Sequence, residues 1–264
     1  MDFSEFHTIT LPTEQNLFNE LMHSVDFETT GKGRLGNHLV DVQEENIPIV
    51  RTTTRFNTPA VAFSPIHHQL VADINDTLLA NHIDIPVQNF NNSLIEVYDV
   101  SYAKMGFHSD QALDLEKNSF IALFTCYEQP DELEESHMRK LVIKDKTTEE
   151  ESEIVLQHYS VILFSVESNR RFQHKIVLHS PMNSKTMHNN RWLGLTFRTS
   201  KTSIQFKDKI PYFSAGELLT LANADQESEF FKLRGQENRE LDFTYPPLLY
   251  TISNADLLPP VTKI

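Results

Sequence analysis

The chain reads as an α+β protein, with helices first and an antiparallel β-sandwich or barrel after them. Three observations predict it. Two segments before residue 90 repeat apolar residues at helical spacing. Seven β-branched and aromatic runs follow between residues 94 and 199, with no helical pattern between them. Helices ahead of closely spaced strands give segregated layers rather than alternating βαβ units.

Residues 13–25 (TEQNLFNELMHSV) place apolar side chains at 17, 18, 21, 22 and 25, which predicts a helix with Thr13 as its cap. Residues 29–55 read as loop and short strand. Within them IPIVRTTTRF alternates as a strand carrying Arg51 and Arg55 on one face. Residues 64–82 return to helical spacing after Ser64-Pro65, a cap followed by a first-turn proline, with His67, His68 and His82 facing solvent. The strands expected next are 94–98, 119–127, 140–144, 153–157, 160–166, 173–178 and 191–199, with VESNRR as a polar turn before the sixth. DELEES and EEESE, the two concentrations of acid, read as solvated hairpin loops. Past residue 199, SAGE is a capping box opening LLTLA, and EFFKLRG is a helix stopped at Gly235. The proline-rich tail FTYPPLLYTISNADLLPP cannot be an interior strand, and its aromatics suit packing onto the main body.

Composition limits the function. Twenty-three basic against 37 acidic residues leave a formal charge of −14, a poor default for gripping phosphate backbones. No apolar run approaches the roughly 18 residues of a membrane span. The N-terminus, MDFSEFHTITLPTEQ, lacks the basic-then-apolar layout of a signal peptide. A single cysteine, Cys126, excludes an internal disulfide framework. The expected location is cytoplasmic.

Chemistry enters at YDVSYAKMGFHSD, residues 98–110. In extended chain His108 and Asp110 point to one face and can reach one metal ion. A second histidine would complete a two-His-one-carboxylate triad that leaves positions on Fe(II) open. His174, in RRFQHKI, is the leading third ligand because it opens a strand upstream of an arginine pair; His158, His179 and His188 are the alternatives. A dicarboxylate cofactor needs a fixed cation, and RWLGLTFRT offers Arg191 and Arg198. Their separation of seven puts them on opposite faces of a regular strand, with Trp192, Gly194 and Thr196 on the Arg198 face.

FNNSLIEVY leading into MGFHSD, then ESNRRFQHKI, then RWLGLTFR, together resemble the AlkB-like branch of the Fe(II)/2-oxoglutarate-dependent dioxygenases over roughly residues 90–199. The resemblance implies a double-stranded β-helix (jelly-roll) core over residues 90–200 of a single domain spanning 1–200. Residues 1–89 would supply helices and a lid, and 201–264 an extension packed on the core. It implies Fe(II) held by His108, Asp110 and His174. Tyr98 would contact 2-oxoglutarate, with Arg198 and Thr196 on the T-x-R end of the family's arginine motif. Three positions depart from the pattern: Glu96 and Gly194 stand where the family has asparagines, and Trp192 stands in the register of the first arginine. Arg191 would take the distal carboxylate only if a bulge restored that register. Glu96 beside an anionic cofactor calls for a cation to pair with it.

The activity implied is hydroxylation, or oxidative demethylation, of a substrate C–H. Arg51, Arg55 and Phe56 sit where the family's substrate lid lies. The charge and the C-terminal extension favour a small molecule or protein residue as substrate. The alternatives are an AlkB-type nucleic-acid base demethylase and a non-catalytic jelly-roll binding protein.

Overall fold

The protein is described from a computed structural model that covers residues 5–102, 105–134, 138–179 and 190–263. The N-terminal third carries β1 (Phe6–Thr10), α1 (Phe18–His23), β2 (Glu28–Gly31), β3 (Arg34–Val40), β4 (Ile47–Pro48), β5 (Val61–Ala62) and α2 (Pro65–Ala80). The middle carries β6 (Asn92–Tyr98), β7 (Phe120–Tyr127), β8 (Arg139–Asp145), β9 (Glu151–Leu156), β10 (Ser160–Ser165), α3 (Val166–Arg171), β11 (Phe172–Leu178) and β12 (Trp192–Arg198). The remainder is β13 (Ser203–Lys207), β14 (Ile210–Phe213), β15 (Thr220–Leu221), α4 (Ala224–Arg239) and β16 (Tyr250–Thr251).

All seven predicted runs form strands. They assemble into a large sheet in the order β1-β10-β7-β12-β6-β3-β2 and a small sheet β11-β8-β9. This is the two-sheet layout of a jelly roll; among the described residues no hydrogen-bonded ladder closes it into a barrel. The large sheet is buried on both sides, which explains why β6 and β7 read as nearly continuous apolar runs. Ile95, Val97, Phe124 and Leu195 meet Phe18, Leu21, Leu70 and Ile74 of α1 and α2 on one side. On the other side Tyr98, Leu123, Ile162 and Phe164 meet Leu141, Ile143 and Ile176 of the small sheet. The candidate site opens within this second interface.

Several local expectations are corrected. The first helix is only α1, because residues 11–17 are held in a non-helical path by Tyr159, whose carbonyl accepts from Leu11 N at 3.0 Å and whose hydroxyl accepts from Leu17 N at 2.8 Å. Thr13 therefore caps nothing. IPIVRTTTRF is not a strand beyond Ile47–Pro48, since the Arg51 amide donates to Asp114 Oδ2 (2.8 Å) instead of to a neighbouring strand. α2 starts at Ser64 as expected, but His67 is fully buried: its Nδ1 accepts from Ser64 N and its Nε2 meets Ser24 Oγ, while burial lowers its pKa to about 4. VESNRR forms the short helix α3, capped by Ser165. Part of EEESE lies inside β9. SAGE opens no helix, because Gly216 takes a left-handed φ of +99° and the chain turns into β15. α4 passes through Gly235 and ends at Arg239. Leu248, Tyr250 and Ile252 of the tail are buried with Phe230 of α4 and Leu113.

Candidate active site

The site is built on one backbone bridge. His108 and His174 pair antiparallel, His108 N to His174 O at 3.0 Å and His174 N to His108 O at 2.7 Å. Directly opposed residues present their side chains on the same face, and the two imidazole centroids lie 4.8 Å apart. Asp110, two residues along, returns to that face, and His174 Nε2 is 3.5 Å from Asp110 Oδ1. The candidate ligand atoms of the three residues all lie within 4.8 Å of one another, the one such cluster among the described residues. His158 is committed elsewhere, its Nδ1 accepting from Tyr127 N at 3.0 Å, and His179 lies outside the cluster. His188 falls outside the described residues.

The electrostatics suit a cation. His108 Nδ1 is 3.0 Å from the Gly106 carbonyl, which can only accept, so Nδ1 carries the proton and Nε2 keeps its lone pair. Burial, with His174 adding to it, lowers the His108 pKa to about 3, which keeps the ring neutral. Burial alone would raise Asp110, but Arg198 and His174 outweigh it and hold the carboxyl well below the usual range. Arg198 donates to Asp110 Oδ2 from Nε (3.0 Å) and approaches it with Nη2 (2.8 Å), leaving Oδ1 turned to the histidine. Arg198 Nη1 is buried without a protein partner.

The loop bearing His108 and Asp110 is fixed from both sides. Asn169 of α3 accepts from Asp110 N (2.7 Å) and donates to Asp110 O (2.8 Å). From α4, Asn238 accepts from Ser109 N (3.0 Å), Glu237 accepts from Ala112 N (2.8 Å), and Arg234 donates to the Ser109 carbonyl. Spacing missed these three residues; no signal in the sequence links α4 to a loop over a hundred residues upstream.

A cavity of about 390 Å³ joins the triad to Tyr98, Glu96, Thr196, Arg198 and Arg34. Tyr98 is fully buried and donates to Glu96 Oε2 at 2.7 Å; burial and that carboxylate push its pKa far up. The cation that Glu96 calls for is Arg34 of β3, whose Nε donates to Oε1 at 2.6 Å. Arg34 was not among the expected residues, since nothing in the local pattern set it apart. Gly194 is explained by Trp192: a Cβ there would stand 2.1 Å from the indole. The β12 ladder to β6 runs without a bulge, so Arg191 stays outside the cavity. It pairs with Glu128 at 2.8 and 2.6 Å and lies over Phe18, on the far side of the sheet. Arg51 and Arg55 are not brought to the triad either. Arg51 is buried against both oxygens of Asp114 and the carbonyls of Leu248 and Tyr250, while exposed Arg55 pairs with Glu227. Thr52, Thr53 and Thr54 between them line the cavity mouth instead.

Two imidazoles and one carboxylate converging on a single point in a jelly roll are a donor set suited to a mononuclear, open-faced site of the non-haem iron type. Residues 7–198 match the 2OG-Fe(II) oxygenase superfamily, and the chain belongs to it. The protein is thus a dioxygenase, an oxidoreductase that works with Fe(II) and 2-oxoglutarate. Among solved structures it is similar to OsALKBH1, at 14% identity and a TM-score of 0.46, covering 74% of this chain and 98% of that one. No curated protein matches it. The residues present fit both cofactors: a His-Asp-His cluster for the metal, and the unpartnered Arg198 Nη1 with Arg34 as cations for a dicarboxylate.

Proposed function

We propose that His108, Asp110 and His174 hold the iron, and that the enzyme hydroxylates, or oxidatively demethylates, a C–H of a small molecule or protein residue. The observation that carries this reading is the triad itself, with one Asp110 oxygen immobilised by Arg198 and the other facing His174. Iron and 2-oxoglutarate, when bound, would supply the activation of O2, one oxygen atom going to the succinate formed with carbon dioxide and the other to the substrate C–H bond. The chain's own share is positioning. Arg198 and Asn169 fix Asp110, the Gly106 carbonyl sets the His108 tautomer, and Leu123, Leu141, Phe164 and Ile176 keep the cavity wall apolar and exclude water. Tyr98, Thr196 and Arg198 form the wall available to 2-oxoglutarate.

The substrate half of the proposal rests on charge. The chain carries −14, and both arginines that could have gripped phosphate, Arg51 and Arg55, face acidic partners of the same chain. Phosphate recognition needs cations free to replace counterions. The test is succinate production from Fe(II) and 2-oxoglutarate, combined with filter binding to single-stranded DNA and RNA across a salt series. Succinate production that depends on all three triad residues, with no tight nucleic-acid retention, is the expected result. Tight, salt-sensitive retention would overturn the substrate assignment. Succinate production that survives His174→Ala would overturn the metal site.

A further inference from the structure

2-Oxoglutarate carries a carboxylate at each end, so a pocket that selects it over other 2-oxo acids needs a cation remote from the metal. Three arginines and no lysine reach the cavity among the described residues. Arg198 is held against Asp110 by Nε and Nη2, so its one unpartnered nitrogen, Nη1, lies beside the triad and not remote from it, and Arg234 is held by Glu237 and the Ser109 carbonyl. The third is Arg34. Strand register places it across β6 from Trp192: both pair with Tyr98, one from β3 and the other from β12. Trp192 cannot supply a charge, and its indole is packed on Gly194.

Resting on the function proposed above, we propose that Arg34 is the residue that holds the distal carboxylate of 2-oxoglutarate, with Glu96 as the internal counter-ion it competes against. Two features of the site support this. The hairpin turn at Gly33, φ +70°, brings Arg34 into the row of Tyr98, six positions along β6 from Asn92, the partner of Arg198. Its guanidinium then leans onto Glu96 and over the ring of Tyr102, half-buried and accessible from the cavity. A guanidinium has five N–H donors in a planar fork; Glu96 engages two of its nitrogens through a single oxygen, while Tyr98 holds the other Glu96 oxygen. Glu96 keeps the cation in place when no cosubstrate is bound, and its negative charge opposes the incoming carboxylate. The same glutamate therefore weakens 2-oxoglutarate binding while positioning the residue that receives it.

The experiment is calorimetric titration of the oxygen-free, Mn(II)-loaded protein with 2-oxoglutarate and with 2-oxobutyrate, which has the same 2-oxo acid head and no distal carboxylate. Arg34→Gln should weaken 2-oxoglutarate by about 10- to 100-fold, the range of a charge-assisted hydrogen bond, and leave 2-oxobutyrate unchanged. Arg34→Lys should recover part of the loss. Glu96→Gln should tighten 2-oxoglutarate, a result that a merely structural Arg34–Glu96 pair would not give. Arg34→Gln weakening both acids equally, or neither, overturns the inference. Wild-type protein that binds the two acids equally well overturns it too. If the wild type binds neither, the oxygenase reading itself fails.

Discussion

Arg198 holds Asp110 through Nε and Nη2, and that contact decides what its removal does. Each Asp110 oxygen has a separate task, Oδ2 held by the guanidinium and Oδ1 turned to His174. Arg198→Ala frees the carboxylate to rotate and leaves it buried without its counter-charge. Mn(II) affinity should drop about 10–100-fold, the usual effect of losing a residue that orients a metal ligand. His108→Ala, Asp110→Ala and His174→Ala should each lose more than that. Titration followed by Mn(II) electron paramagnetic resonance separates the cases, and an Arg198→Ala protein with wild-type affinity would contradict this role. At this scale the sequence was informative where chemistry is local. His108 and Asp110 are two apart in an extended segment, so their shared face could be read without coordinates. The partners of those residues could not be read. Arg34 lies in a hairpin and Asn238 in a helix, and only the strand order and the C-terminal path bring them to the site.

Elements were legible in proportion to how much of their hydrogen bonding is their own. α2, with its capping box, and the seven strands follow periodicity closely. Segments whose backbone bonds go to distant side chains do not. Residues 11–17 are tied to Tyr159, and residues 49–56 are tied to Asp114 and the C-terminal segment, so alternation misled in both. Arg51 joins β4's outgoing chain to residues 248–250, and its truncation strands a buried Asp114 carboxylate. Arg51→Ala should cost about 3–5 kcal/mol of stability, read by urea denaturation, while Mn(II) affinity of the folded protein stays unchanged. A loss of substrate affinity without a loss of stability would return Arg51 to the binding role. Asp256 gives the second element-scale prediction. Burial raises its carboxyl from 3.8 to about 6, despite the Thr251 hydroxyl and Arg51. The folded state thus holds this proton more tightly than the unfolded chain does. Its contribution favours folding below pH 3.8 no less than a neutral group would, and is lost as pH rises to about 6. The gap of about two pH units at 1.36 kcal/mol each is roughly 3 kcal/mol. Asp256→Asn should therefore stabilise the protein at pH 7.5 by up to that amount and give no gain at pH 3.5. Equal effects at both pH values would refute the assignment.

Across the whole molecule, the superfamily match ends at residue 198, yet three hydrogen bonds that shape the loop bearing His108 and Asp110 come from α4, beyond it. Among the described residues no helix is long and apolar enough to cross a membrane, and α4 instead lies along the loop it anchors. Glu237 is the pivot: it accepts from Ala112 N, pairs with Arg234 at 2.6 Å and accepts from the Tyr245 hydroxyl at 2.7 Å. The C-terminal aromatics therefore support the geometry of residues 109–112 from outside the sheets. Metal affinity should then depend on a helix that contributes no ligand. Asn238→Ala removes the acceptor for Ser109 N, next to Asp110, and leaves the large and small sheets of the core untouched. A tenfold weaker site subtracts about 1.4 kcal/mol from the stabilisation that saturating Mn(II) confers. Melting curves with and without Mn(II) measure that difference directly, because any intrinsic destabilisation appears in both. Lys232→Ala, on the exposed face of the same helix, should leave the metal-induced shift as it is in the wild type. If the two variants give the same metal-induced shift, α4 covers the core without shaping the site.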